Sequence, residues 1–173
     1  MTWSSKYPLV FSIHLNSRGF AFVLFEGPLA PLAWRVFEAR GDKREPIVTR
    51  VSSLFARYKP HVVVLQDMLP EGTHRPHRIR HLNEVITKLA ERYELATVFV
   101  SRAEVRERFT YLGFVSKDAI AAAIVKHIPA FVGFLPQPRK PWKSEDARMG
   151  IFDAAAFALT FFARGQSNPG IVQ

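Results

Sequence analysis

Apolar positions in this chain fall into short runs near the start and into helical stripes further on. Leu9 to His14 is an apolar run closed by the turn signal Asn16-Ser17-Arg18-Gly19. Phe20 to Phe25 is a second run, ended by Gly27-Pro28, and Leu32 to Ala39 makes a third. Connections of hairpin length predict an antiparallel meander. The period then changes. Ile47, Val51, Leu54 and Phe55 recur at helical spacing, and Val62 to Leu65 follows Pro60 as a continuous run, as a buried central strand would. Helix then strand implies a crossover to a parallel neighbour. Residues 68–81 are Pro-, His- and Arg-rich. Beyond them Leu82, Val85, Ile86, Leu89 and Tyr93 form one stripe of a helix. Thr97 to Val100 reads as a strand and Arg102 to Arg108 as a basic piece. Residues 117–127 read as an amphipathic helix through Ile120, Ile124 and Val125. Pro129, Pro136, Pro138 and Pro141 mark a basic linker over residues 130–143. A last helix is predicted from an N-cap at Ser144, with Glu145 and Asp146 complementing its dipole, to a stop at Gly165. The expectation is a single α/β domain over residues 1–173. Its sheet is mixed and five-stranded, three antiparallel strands and then parallel ones, flanked by helices.

Composition narrows the partner. A formal charge of +9 and a pI near 10.3 point to an anionic partner, nucleic acid ahead of a membrane surface. A soluble basic protein with no such partner is the plain alternative. The absence of cysteine excludes disulfides and thiolate metal sites and fits a cytoplasmic location. No signal peptide is evident, and no apolar run is long enough to span a bilayer. Phosphate-binding glycine loops, nucleophile elbows and dinucleotide fingerprints are missing as well.

Two stretches carry candidate chemistry: Ile13-His14-Leu15-Asn16-Ser17-Arg18-Gly19 on the first strand, and Ile151-Phe152-Asp153-Ala154-Ala155-Ala156-Phe157-Ala158-Leu159 on the last helix. Together they resemble the RuvC-type Holliday-junction resolvases of the RNase H-like superfamily, over Leu9 to Phe162. The resemblance implies an RNase H-like fold, a homodimer, and phosphodiester hydrolysis by paired divalent ions roughly 4 Å apart. Mg²⁺ or Mn²⁺ would need hard oxygen ligands. The family places one acid on the first strand, one at the end of the fourth, and two on the last helix. Here His14 stands at the first place, Gln66 at the second with Asp67 beside it, Gly150 at the third and Asp153 at the fourth. The chain thus resembles a divergent member with a degenerate site, for which weak or absent hydrolysis is expected. Asp153 is the leading metal ligand, followed by Asp67 and by Asp146. Asp146 lies seven residues before Asp153, on the same face of the predicted helix, at an axial separation of about 10 Å. His14 and Gln66 would fill the remaining catalytic places. Each residue also has a plain structural reading. Asp153 would close a local network, His14 would be a hydrogen-bonded core histidine, and Gln66 and Asp67 would merely end a strand.

Basic residues supply candidate nucleic-acid contacts. The family motif adds Arg18. The segment His74-Arg75-Pro76-His77-Arg78-Ile79-Arg80-His81 adds Arg75, Arg78 and Arg80 as phosphate ligands, the plain alternative being a solvated loop. His77 and His81, four apart, have the spacing but not the surroundings of a metal motif. Arg102, Arg106, Arg108, Lys117, Arg139, Lys140 and Lys143 extend the set, with Trp142 placed to stack on a base or to anchor the linker. The helix from Leu82 to Tyr93 is the candidate dimer interface. The reading is a RuvC-like protein that binds structured or double-stranded DNA. Its alternatives are an active divergent Mg²⁺- or Mn²⁺-dependent endonuclease and a non-enzymatic protein-interaction subunit.

Overall fold

The computed structural model describes residues 6–69 and 76–166. Five strands form one sheet: β1 (Val10–Leu15), β2 (Gly19–Phe25), β3 (Pro31–Glu38), β4 (Val62–Gln66) and β5 (Ala96–Val100), in the order β3-β2-β1-β4-β5. β1, β2 and β3 pair antiparallel, while β4 pairs parallel with both β1 and β5. The meander and the crossover are therefore as the hydrophobic pattern predicts. The helices are α1 (Arg44–Tyr58), α2 (His77–Arg92), α3 (Arg102–Tyr111), α4 (Lys117–His127) and α5 (Met149–Gln166). No helix among the described residues is long and apolar enough to cross a membrane.

Strand alternation divides the sheet into two packed faces. Phe11, Ile13 and Leu15 of β1, with Val63 and Leu65 of β4, meet Ile47, Val51, Phe55, Leu82, Ile86 and Leu89 of α1 and α2. Val10 of β1 and Val64 of β4 face the other way, towards α3, α4 and α5. Ser12 belongs to this second face, and its hydroxyl donates to the Ala154 carbonyl of α5 at 2.6 Å. The same alternation puts His14 and Gln66 beneath α5 as well.

Helix α5 rests closely on the sheet because its contact residues are small. Ala154, Ala155, Ala156 and Ala158 are all buried. Gly150 comes nearest of all: a Cβ there would lie 2.9 Å from the Ala21 Cβ on β2 and 3.6 Å from the His14 ring.

Other details differ from expectation. Helix α5 begins at Met149, not at Ser144. Asp146 forms the preceding turn itself, its carboxylate accepting from the Arg148 backbone N–H at 2.9 Å and its carbonyl from that of Met149. The helix also continues to Gln166, past Gly165. The segment expected to be a linker opens as a 3-10 helix, Pro129–Phe134, anchored by the fully buried Phe131 against Trp34 and Phe152. The basic piece after β5 is a helix, α3. Finally, the apolar stripe of α2 is spent inside the chain. Leu82, Ile86 and Leu89 are core residues, while Tyr93 is 36% exposed and bonds the Ser52 hydroxyl at 2.6 Å.

Gly150→Ala tests the close approach. Ala favours a helix over Gly by about 1 kcal/mol. Overpacking against a rigid methyl costs about 1–3 kcal/mol, and the clash is expected to win. The urea midpoint should fall, and Ala21→Gly in the same chain should recover part of the loss as a coupling energy.

Candidate functional site

The site forms where β1 ends beneath α5. Asp153 sits on the sheet-facing side of α5 with only 7% of its surface exposed. A buried carboxylate must be paired, and three basic side chains surround it. His14 Nε2 of β1 lies 3.4 Å from Oδ2. Arg102 Nη1 of α3 lies 3.2 Å from Oδ1. Lys117 Nζ of α4 lies 3.1 Å from Oδ2, and 2.7 Å from Glu145 Oε1. Burial pushes the Asp153 pKa up, but the charges of His14, Arg102 and Lys117 and the Lys117 hydrogen bond outweigh it, leaving the pKa at about 2.

Two helix starts deliver two of these cations by the same device. Ser101 caps α3, its hydroxyl accepting from the Glu104 N–H at 3.0 Å, and Arg102 is the first helical residue. Ser116 caps α4, accepting from the Ala119 N–H at 3.1 Å, and Lys117 is the first helical residue. A cation at the first turn opposes the helix dipole. The Asp153 carboxylate, reached by both, compensates. Arg102 also lies over the Phe157 ring, 5.8 Å from its centre.

A cavity of about 240 Å³ opens beside the cluster, lined by Arg102, Val105, Arg106, Val115, Lys117, Phe152 and Asp153 among others. Further cations hold the β1–β2 turn next to it. Lys43 Nζ donates to the Ser17 carbonyl at 2.6 Å and Arg78 Nη2 to the same oxygen at 3.3 Å. Arg18 donates to the Glu145 carbonyl and lies 3.6 Å from Glu38. The surface around the cavity is thus cationic, with one buried acid at its floor.

No protein-family model matches the sequence, and no curated protein matches it either. Solved structures do. Thermus thermophilus RuvC in complex with a Holliday junction substrate superposes with a TM-score of 0.66 at 16% identity, over 93% of this chain and 98% of that one. A second Thermus thermophilus RuvC structure gives 0.64 at 19% identity, over 91% and 96%. The yeast mitochondrial Holliday junction resolvase gives 0.59 at 14% identity, over 95% and 82%. The chain has the RuvC fold.

In that fold a divalent-metal site is implied, and these residues do not fit one. Paired hard cations need several carboxylates. Asp153 is the one buried acid among the described residues, and both its oxygens already face cationic side chains. At position 150 even a Cβ would lie 2.9 Å from the Ala21 methyl. Among the described residues, no group of three or more His, Asp or Glu side chains is arranged to hold a metal ion.

The other residues singled out from the sequence are scattered. Gln66 is buried at the end of β4, with its backbone carbonyl bonded by Asn83 Nδ2 at 3.2 Å. Asp67, one residue on, lines a separate groove with Met68, Asn83 and Phe99. Its carboxylate accepts from the Leu69 N–H at 3.0 Å, which fits a strand-ending role. Asp146 is committed to Arg148 through contacts of 3.0 and 2.7 Å. It shares no helix face with Asp153, because α5 starts after it. Arg80 lines the Asp67 groove. Arg139, Lys140 and Lys143 are exposed ahead of α5, and Lys140 stands over the Trp142 ring rather than at Asp153. Arg75 falls outside the described residues. Sequence reasoning singled out Asp153, His14 and Lys117, but it missed Arg102 as their partner and Glu145 as the second acid on Lys117. The repeated Ser-Arg and Ser-Lys at positions 101–102 and 116–117 was the available signal.

The depressed Asp153 pKa has a stability consequence of definite sign. The group binds its proton more weakly folded than unfolded, so its contribution is complete above about pH 4 and is lost as pH falls towards 2. The size is about 2 kcal/mol. Asp153→Asn should flatten this acid limb in urea unfolding followed against pH. At neutral pH it should cost near the lower end of about 3–5 kcal/mol, because Arg102 and Lys117 keep one side in water.

Proposed function

We propose that this chain is a RuvC-fold nucleic-acid-binding protein that engages structured or double-stranded DNA through a cationic site, with no two-metal hydrolysis. The observation that carries this reading is the closure of His14, Arg102 and Lys117 on Asp153. Positive side chains stand around the acid to which a metal nuclease of this fold would bind its ions. The scaffold neighbours, one of them in complex with a Holliday junction, support a nucleic-acid partner, and the +9 charge supports an anionic one.

Binding on this reading needs no cofactor. Asp153 holds the Arg102 guanidinium and the Lys117 ammonium in place, so their remaining N–H groups would meet a phosphate with less loss of side-chain entropy. Arg106, exposed at the same cavity, and Arg18 and Arg78 at the β1–β2 turn add phosphate contacts. Phosphate contacts position a duplex without reading its sequence, so weak sequence preference follows. A cytoplasmic homodimer belongs to the same proposal. A symmetric pair would present two such sites to a branched substrate.

A labelled four-way junction and a linear duplex, each with Mg²⁺, Mn²⁺ or chelator, test this directly. The expected result is a shifted complex in all three conditions and no cleavage. Arg106→Ala with Arg78→Ala should weaken binding. The slope of log affinity against log salt should fall by about one for each phosphate left without its arginine. Metal-dependent cuts that vanish in Asp153→Asn would establish the divergent-endonuclease alternative instead. No shift with either probe would move the assignment to a protein partner.

A further inference from the structure

The turn joining α3 to α4 exposes apolar side chains where water gives them nothing. Tyr111 is 85% exposed, Leu112 51% and Val115 73%. Single exposed apolar residues are ordinary, but a cluster beside a charged site marks contact with something. The turn is also held in shape. Gly113 takes φ +91°, which L side chains rarely adopt. Its N–H donates to the Thr110 carbonyl at 2.9 Å, and the Phe114 N–H to the Phe109 carbonyl at 2.8 Å. Phe114 itself is turned inward, against the core. What remains outward is a turn tip whose backbone these two hydrogen bonds hold.

Its location selects the ligand. Val115 lines the cavity that holds Arg102, Arg106, Lys117 and Asp153, so the apolar tip continues directly from the cationic rim. A ligand that meets both must be strongly anionic and carry flat apolar faces. Nucleic acid has this pairing, and it offers free base faces wherever stacking is interrupted, as at a branch, bulge or strand end. We infer that the α3–α4 turn is a wedge that seats at a break in base stacking, with Tyr111 and Leu112 against the open base face and Arg106 and Lys117 on the flanking phosphates. This rests on the nucleic-acid reading proposed above and adds to it the residues that would tell interrupted from continuous duplex.

Fluorescence anisotropy with the full chain tests it, using one labelled duplex and the same duplex carrying an unpaired-base bulge. Wild type should hold the bulged probe about tenfold tighter, the order expected of one stacked base. Tyr111→Ser with Leu112→Ser should bring the ratio close to one and leave duplex affinity unchanged. Tyr111→Phe should keep the ratio, and Arg106→Ala should weaken both probes alike. A ratio that survives the double substitution overturns the wedge while leaving nucleic-acid binding intact. Failure of wild type to bind either probe overturns the function reading and the wedge together. If the double variant instead loses adsorption to vesicles of anionic phospholipid that wild type shows, the tip is a membrane contact and the inference is wrong.

Discussion

A carboxylate placed under a packed helix cannot stay unpaired, and much of this end of the molecule answers that constraint. Asp153 is brought against the sheet by the small residues of α5. Three separate elements then meet it: β1 through His14, α3 through Arg102 and α4 through Lys117. The first residues of α3 and α4 are basic, which each helix alone would disfavour. They are tolerated because both reach one acid. The interaction therefore fixes where the two helices start relative to α5, and with them the cavity that opens between.

The close seating of α5 also limits what the site can become. A hydrolytic centre of the metal type needs acids in addition to Asp153, and the nearest place for one is position 150. That place is taken up by the approach of the helix to Ala21 and His14. A carboxylate there would require α5 to lift from the sheet, which the buried alanines after it oppose. The absence of an acid at position 150 and the closeness of packing there are one structural fact, since an acidic side chain at that position would collide with the sheet.

Much of this was legible in the chain. The early apolar runs, the switch to helical stripes and the Ala-rich last helix pointed to strand order and the seat of Asp153, because burial writes itself into periodicity. Boundaries set by local capping were harder. Ser144-Glu145-Asp146 has the composition of a helix start, yet Asp146 folds its own turn onto Arg148 and α5 waits until Met149, which removes Asp146 from the site. Asp67 was singled out by adjacency to Gln66, but β4 ends at Gln66 and the Asp67 carboxylate accepts from the Leu69 N–H. The pairing of Arg102 with Asp153, 51 residues apart, left no trace in spacing. Only the twin Ser-cation starts hinted at it, and the α2 stripe, read as an interface, gives Leu82, Ile86 and Leu89 to the core.

On the proposed reading Asp153 serves the two cations beside it. An isolated Arg102 or Lys117 would sample many rotamers and lose that freedom on meeting a phosphate, at a cost of order 1 kcal/mol for each side chain. Holding both on a buried acid removes that cost in advance, though it also shares their charge, so the net gain in affinity is modest and the gain in geometry is larger. On the proposed binding reading one acid serves this purpose, and further acids beside it would repel a phosphate. His14, at the first-strand position, follows the same logic. Its Nε2 stands 3.4 Å from Asp153 Oδ2, where a second carboxylate would be disfavoured in its charged form by the first.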